Sequence, residues 1–188
     1  MKLLLILLFH PTYIVKGRST VPPILILLSV VAYAALCGLA FQHLYPRLLN
    51  NVPWLGGFRK LHPGNWNPAF DTELFIRGAS MGMILFGTYW ISYSLMSLLT
   101  PGRAKPITRC ALASLSTCVP VLICCAVGFF FYYLHNALGL LPVYGLFAAI
   151  CLQVILLRDL FGVSRALVVY LVPSVLTAQL IACTLLLP

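Results

Sequence analysis

The chain has 188 residues, 62% of them hydrophobic and only 8% charged, with a mean hydropathy of +1.02. A soluble domain carries about 25% charged residues, so a soluble globular fold is excluded. The charge is basic, 12 Lys and Arg against 3 Asp and Glu, yet no basic stripe with interleaved aromatics lies on a polar face, which argues against a nucleic-acid partner.

Crossing a hydrocarbon core about 30 Å thick takes roughly 20 mostly apolar helical residues. The first segment, residues 1–18, falls short of that. It imitates a signal peptide, with Lys2 ahead of an apolar run to Phe9. No small-x-small cleavage site follows; His10-Pro11 and Lys16-Gly17-Arg18 do. The segment is therefore expected to be retained and to lie along the interface as a short helix over 2–16. Ser19 and Thr20 then offer an N-cap, and Pro22 and Pro23 suit a first helical turn, where an amide hydrogen has no partner anyway. A first span is predicted over residues 21–42.

Residues 43–70 are the one sizeable polar stretch. Their Pro, Gly, Asn and Trp content predicts an ordered loop at headgroup level, where Trp and Tyr prefer to sit. A second span is predicted over 72–99, and within it Gly78-x-x-x-Gly82 forms a small-residue face that permits close helix contact. The run from Thr100 to Pro106 is a turn holding Arg103 and Lys105. The third span, 107–134, carries Pro120 and the aromatic run Phe129 to Tyr133, and His135 to Gly139 makes an uncharged reversal. A fourth span, 141–157, leads to the charged turn from Arg158 to Arg165. The fifth, 166–187, carries Pro173 and Gln179. The fold class is thus an all-α integral membrane protein, a five-transmembrane-helix bundle over residues 19–188 preceded by an interfacial N-terminal helix.

Five spans put the two ends of the chain on opposite sides. The amino-terminal side then holds Lys2, Lys16, Arg18, Arg103, Lys105, Arg109, Arg158 and Arg165, while the other holds Arg47, Arg59, Lys60 and Arg77 with Asp71 and Glu73. The positive-inside rule accordingly places the N-terminus in the cytoplasm and the C-terminus outside. A re-entrant hairpin in place of the last two spans would leave Arg158 and Arg165 at membrane depth, at about 2.5–3.5 kcal/mol each.

The order of parts, from Leu8-Phe9-His10-Pro11 through Tyr144-Gly145-Leu146 to Phe161-Gly162-Val163-Ser164-Arg165-Ala166 ahead of a helix with Pro173, resembles the Yip1 family of small five-span membrane proteins. The resemblance implies a non-catalytic protein working beside other integral membrane subunits, as prokaryotic members do near transport systems.

Few residues invite chemistry. Asp71, Glu73 and Arg77 open the second span; Glu73 and Arg77 share a helix face and can pair, and acids at a helix start also meet the positive end of its dipole. Arg158, Asp159 and Arg165 flank the last turn, either as a structural pair and anchors or as a docking point. With Gly78 and Gly82 these are the candidate interaction residues. Gln153, Gln179, Ser92 and Ser94 lie inside spans and can hydrogen-bond between helices, while Pro120 and Pro173 can kink theirs and free carbonyls. The seven cysteines, Cys37, Cys110, Cys118, Cys124, Cys125, Cys151 and Cys183, include no C-x-x-C pair and read as small hydrophobes. His10, His43, His62 and His135 are scattered, so no cofactor or metal is expected, and no fingerprint for a soluble small-molecule substrate is present.

Three functions compete. The first is a membrane scaffold or accessory subunit whose partners are the lipid bilayer and other integral membrane proteins. The second is a small transporter or channel component, which requires polar residues converging near the bilayer midplane. The third is a haem- or quinone-associated redox subunit, which requires converging histidines.

Overall fold

The computed structural model describes residues 21–51, 71–100, 105–131 and 141–186, with backbone alone at 45–51 and 186. These residues form five α-helices: α1 (Pro23–Asn51), α2 (Thr72–Leu99), α3 (Ile107–Phe131), α4 (Leu141–Asp159) and α5 (Arg165–Leu186). No strand occurs among the described residues. Each helix contains a stretch long and apolar enough to cross a membrane.

The helices follow the expected spans with one substantive correction. Residues 43–51 were expected to open the polar loop, but α1 continues through Asn51, although its apolar stretch stops at Leu44. Hydropathy decides where a chain leaves the lipid, whereas backbone hydrogen bonding decides where a helix stops, and the two need not coincide. The interfacial helix expected over 2–16, the Ser19-Thr20 cap, the rest of the loop to residue 70 and the reversal at 135–139 lie outside the described residues. Pro23 opens α1 as expected, with the Pro22 carbonyl accepting from Leu25 N at 3.0 Å.

Successive helices run in alternating directions. Gly38 of α1 meets Phe75 near the start of α2, while Tyr33, earlier in α1, meets Gly82 further along α2. Between α2 and α3, Ser97 reaches Lys105 and Phe86 reaches Ser114. The α1–α2 crossing is close because glycines line it: a Cβ on Gly78 would sit 2.8 Å from the Cys37 carbonyl oxygen, and one on Gly38 would sit 2.8 Å from that of Phe75. Small residues allow such approach, and without a hydrophobic driving force between helices in lipid, close packing supplies much of the association energy.

Helix α3 is the central rod. In its most apolar window 72% of residues are buried inside the bundle, against 39% in α2, the next most enclosed. It packs against α1, α2 and α4, while α5 lies on α2 and α4. Gly145 seats α4 on α3, where a Cβ would fall 2.9 Å from the Val121 Cα.

The turn between α4 and α5 ends one helix and begins the next with no residue to spare. Gly162 adopts φ 65°, its N–H donates to the Arg158 carbonyl at 3.1 Å, and the Val163 N–H reaches back to that of Leu157 at 3.1 Å. This paired arrangement closes a helix around a left-handed residue, a conformation that glycine alone adopts without a Cβ penalty. Ser164 then caps α5, its Oγ accepting from Leu167 N at 3.4 Å.

Candidate functional site

The charged residues singled out from the sequence sit at the ends of the bundle. Asp71 caps α2, one carboxylate oxygen accepting from Glu73 N at 3.0 Å and Leu74 N at 3.1 Å. Arg77 pairs with Glu73 one turn away at 2.5 Å, and Glu73 is 64% exposed, so the pair lies on the surface of the bundle. Arg158 and Asp159 approach to 3.5 Å at the end of α4, and Arg165 opens α5 on the exposed side of the turn. Gly78 and Gly82 are buried against α1, which places that small-residue face inside the fold. Of the histidines only His43 has a described side chain; its ring lies 5.2 Å from that of Phe129. Among the described residues no three His, Cys, Asp or Glu side chains gather as metal ligands.

The polar residues that do converge lie between the helices. Tyr33 of α1, Tyr89 and Tyr93 of α2, Ser114, Thr117 and Cys118 of α3, Gln153 of α4 and Gln179 of α5 are all buried. Some are fully bonded. Thr117 donates its hydroxyl hydrogen to the Ala113 carbonyl at 2.9 Å, which leaves its oxygen to accept from the Tyr93 hydroxyl at 2.6 Å. Ser114 donates to the Phe86 carbonyl at 2.6 Å. Gln179 donates through Nε2 to the Thr88 hydroxyl at 2.9 Å, tying α5 to α2. Each such link contributes about 0.6 kcal/mol in a membrane bundle, enough to set helix rotation and too little to hold the fold by itself.

Others are not bonded. Among the described residues the hydroxyls of Tyr33, Tyr89 and Ser92, the side-chain Oε1 of Gln42 and both polar atoms of the Gln153 side-chain amide have no regular hydrogen-bonding partner. The Tyr33 hydroxyl lies among the thiols of Cys37, Cys118 and Cys125, weak partners that form no regular hydrogen bond with it, and the Tyr89 hydroxyl lies beside the Gln179 amide, likewise without a regular hydrogen bond. Burying a hydroxyl or amide without a partner costs about 2–7 kcal/mol, so polar groups kept in this state call for a reason.

Gln153, Gln179 and Ser92 are legible from the sequence as polar residues within spans; the tyrosines are the residues that such a reading passes over. A signal was available. Tyr prefers the interface, and Tyr33 sits at the middle of its apolar stretch, Pro23–Leu44, where an aromatic without a hydroxyl would be the simpler choice. All seven cysteines are free, five of them buried, in keeping with their reading as small hydrophobes. Comparison with protein-family models, curated proteins and solved structures finds no match to this chain.

Proposed function

We propose that this chain is a non-catalytic, transport-associated membrane protein in which the neutral polar interior, rather than either charged end, engages solute. The observation that carries this reading is the burial of Tyr33, Tyr89, Thr117, Gln153 and Gln179, one from each of the five helices, in the bundle interior. Several of these keep unpartnered polar atoms. A bundle that needed only to pack could place Phe or Leu at the same positions and avoid the desolvation cost. Neutral polar groups inside a membrane bundle commonly link helices; those left without a partner are the ones available to a solute.

The resemblance to the Yip1 family points toward the same setting, a protein at work beside other membrane subunits with its cationic end in the cytoplasm. The polar interior favours direct contact with solute over scaffolding alone. Reconstitution tests this. Purified chain in sealed proteoliposomes is expected to raise the permeation of at least one of a panel of ions and small neutral solutes above that of protein-free vesicles. A folded chain that raises none of them, and instead copurifies in fixed ratio with another membrane protein, is a scaffold and overturns the reading.

A further inference from the structure

Resting on that reading, we propose that the interior takes a small neutral guest able both to donate and to accept hydrogen bonds, of the class of water, urea or glycerol, and that Gln153 is its principal ligand. Gln153 is fully buried, on the face of α4 that also carries Gly145 and Ala149. Gly145 meets Val121, Cys124 and the Pro120 carbonyl. Because α4 runs antiparallel to α3, the backbone of Gln153, two turns further along, lies level with Ala113 and Ser114 of α3, one turn short of Ser116. Proline has no N–H, so the Ser116 carbonyl loses its helical partner. The hydroxyls of Ser116 and Thr117 are already committed to the Leu112 and Ala113 carbonyls, each at 2.9 Å. Side chains on a helix lean toward its N-terminus, which for α4 is the direction of Pro120. An amide with a free donor and a free acceptor is thus carried back along α3 toward the turn holding a freed carbonyl, and a bridging molecule between them would satisfy both.

The chemistry around it selects against charge. The buried polar side chains of the bundle are hydroxyls, thiols and amides, with no carboxylate, ammonium or guanidinium among the described ones. An ion entering there would lose its hydration without gaining a counter-charge, a cost of several kcal/mol. A neutral guest replaces water hydrogen bonds with those of Gln153 and the freed carbonyl.

The test uses the full chain in proteoliposomes, with stopped-flow light scattering under water, urea and glycerol gradients and parallel potassium and sodium flux. Neutral permeation is expected above that of protein-free vesicles with ion flux at background. In Gln153→Leu it is expected to fall by about tenfold, the size of one hydrogen bond lost from a buried guest. Thermal unfolding of the same variant guards against misfolding. If Gln153→Leu raises the midpoint and leaves permeation unchanged, the amide is only a packing residue and the inference fails. Ion flux without neutral permeation also overturns it while leaving the transport-associated reading intact; a folded chain that moves nothing overturns both.

Discussion

The ring of Phe161 stacks on that of Tyr93, centroids 5.4 Å apart and planes 6° from parallel. Phe161 belongs to the turn between α4 and α5, and neither ring is exposed. The turn is therefore plugged into α2 rather than resting on the end of the bundle, and the Tyr93 hydroxyl continues the link to Thr117 of α3. One aromatic pair ties the last helical hairpin to the two helices at the centre.

Truncating the plug should be costly. Phe161→Ala is expected to destabilise the bundle by about 3–5 kcal/mol, the range for a large buried aromatic. Tyr93→Phe keeps the stack and removes only the hydroxyl bond, so a loss of about 0.6 kcal/mol is expected. Reversible unfolding in mixed detergent micelles, followed by circular dichroism, measures both. Equal effects from the two variants would show that the stack contributes little.

The glycines separate by what surrounds them. Gly78→Ala and Gly145→Ala push a methyl into backbone and are expected to cost about 1–3 kcal/mol each through overpacking. Gly162→Ala forces a Cβ into the left-handed region and is expected to lose about 1 kcal/mol. At Gly87 an added Cβ meets nothing within 4 Å, so Gly87→Ala is expected to gain up to about 1 kcal/mol from helix propensity. The same unfolding assay gives all four, and a destabilising Gly87→Ala would contradict the packing described for α2.

The spans were readable because bilayer thickness and backbone hydrogen bonding leave few options: an apolar run of sufficient length becomes a helix. The Asp71 cap and the Glu73–Arg77 pair were readable for a related reason, since both are local contacts within one turn. The polar interior was not. Whether Tyr89 of α2 and Gln153 of α4 face lipid or the interior depends on helix rotation, and those two helices have so little difference in polarity between their faces that periodicity does not report it. The end of α1 was missed because a helix can run on beyond the lipid.

Thiol reactivity offers a separate check on those rotations. Cys151 is exposed on the outside of α4, whereas Cys37, Cys110, Cys118, Cys124 and Cys125 are buried. A small lipid-soluble maleimide is expected to modify Cys151 in the folded protein and to reach the five buried thiols only after denaturation. Mass spectrometry of the digested protein counts the adducts. Prompt native modification of Cys118 would mean that α3 is not the enclosed helix.

The two ends of the bundle differ in charge, and that difference predicts orientation. Lys105, Arg109, Arg158 and Arg165 share one end with Asp159, while the other carries Asp71, Glu73 and Arg77. Cations near span ends are held on the cytoplasmic side, where anionic headgroups attract each by about 1 kcal/mol. Lys105 and Glu73 stand at opposite ends of α2 and its hairpin with α3, so single cysteines introduced there, with Cys151 and Cys183 replaced by Ser, report on opposite faces. In right-side-out vesicles a membrane-impermeant maleimide is expected to modify the Glu73→Cys protein at once and the Lys105→Cys protein only after lysis. The reverse order would mean an inverted bundle, and rapid modification of both in sealed vesicles would mean that α2 does not cross the membrane.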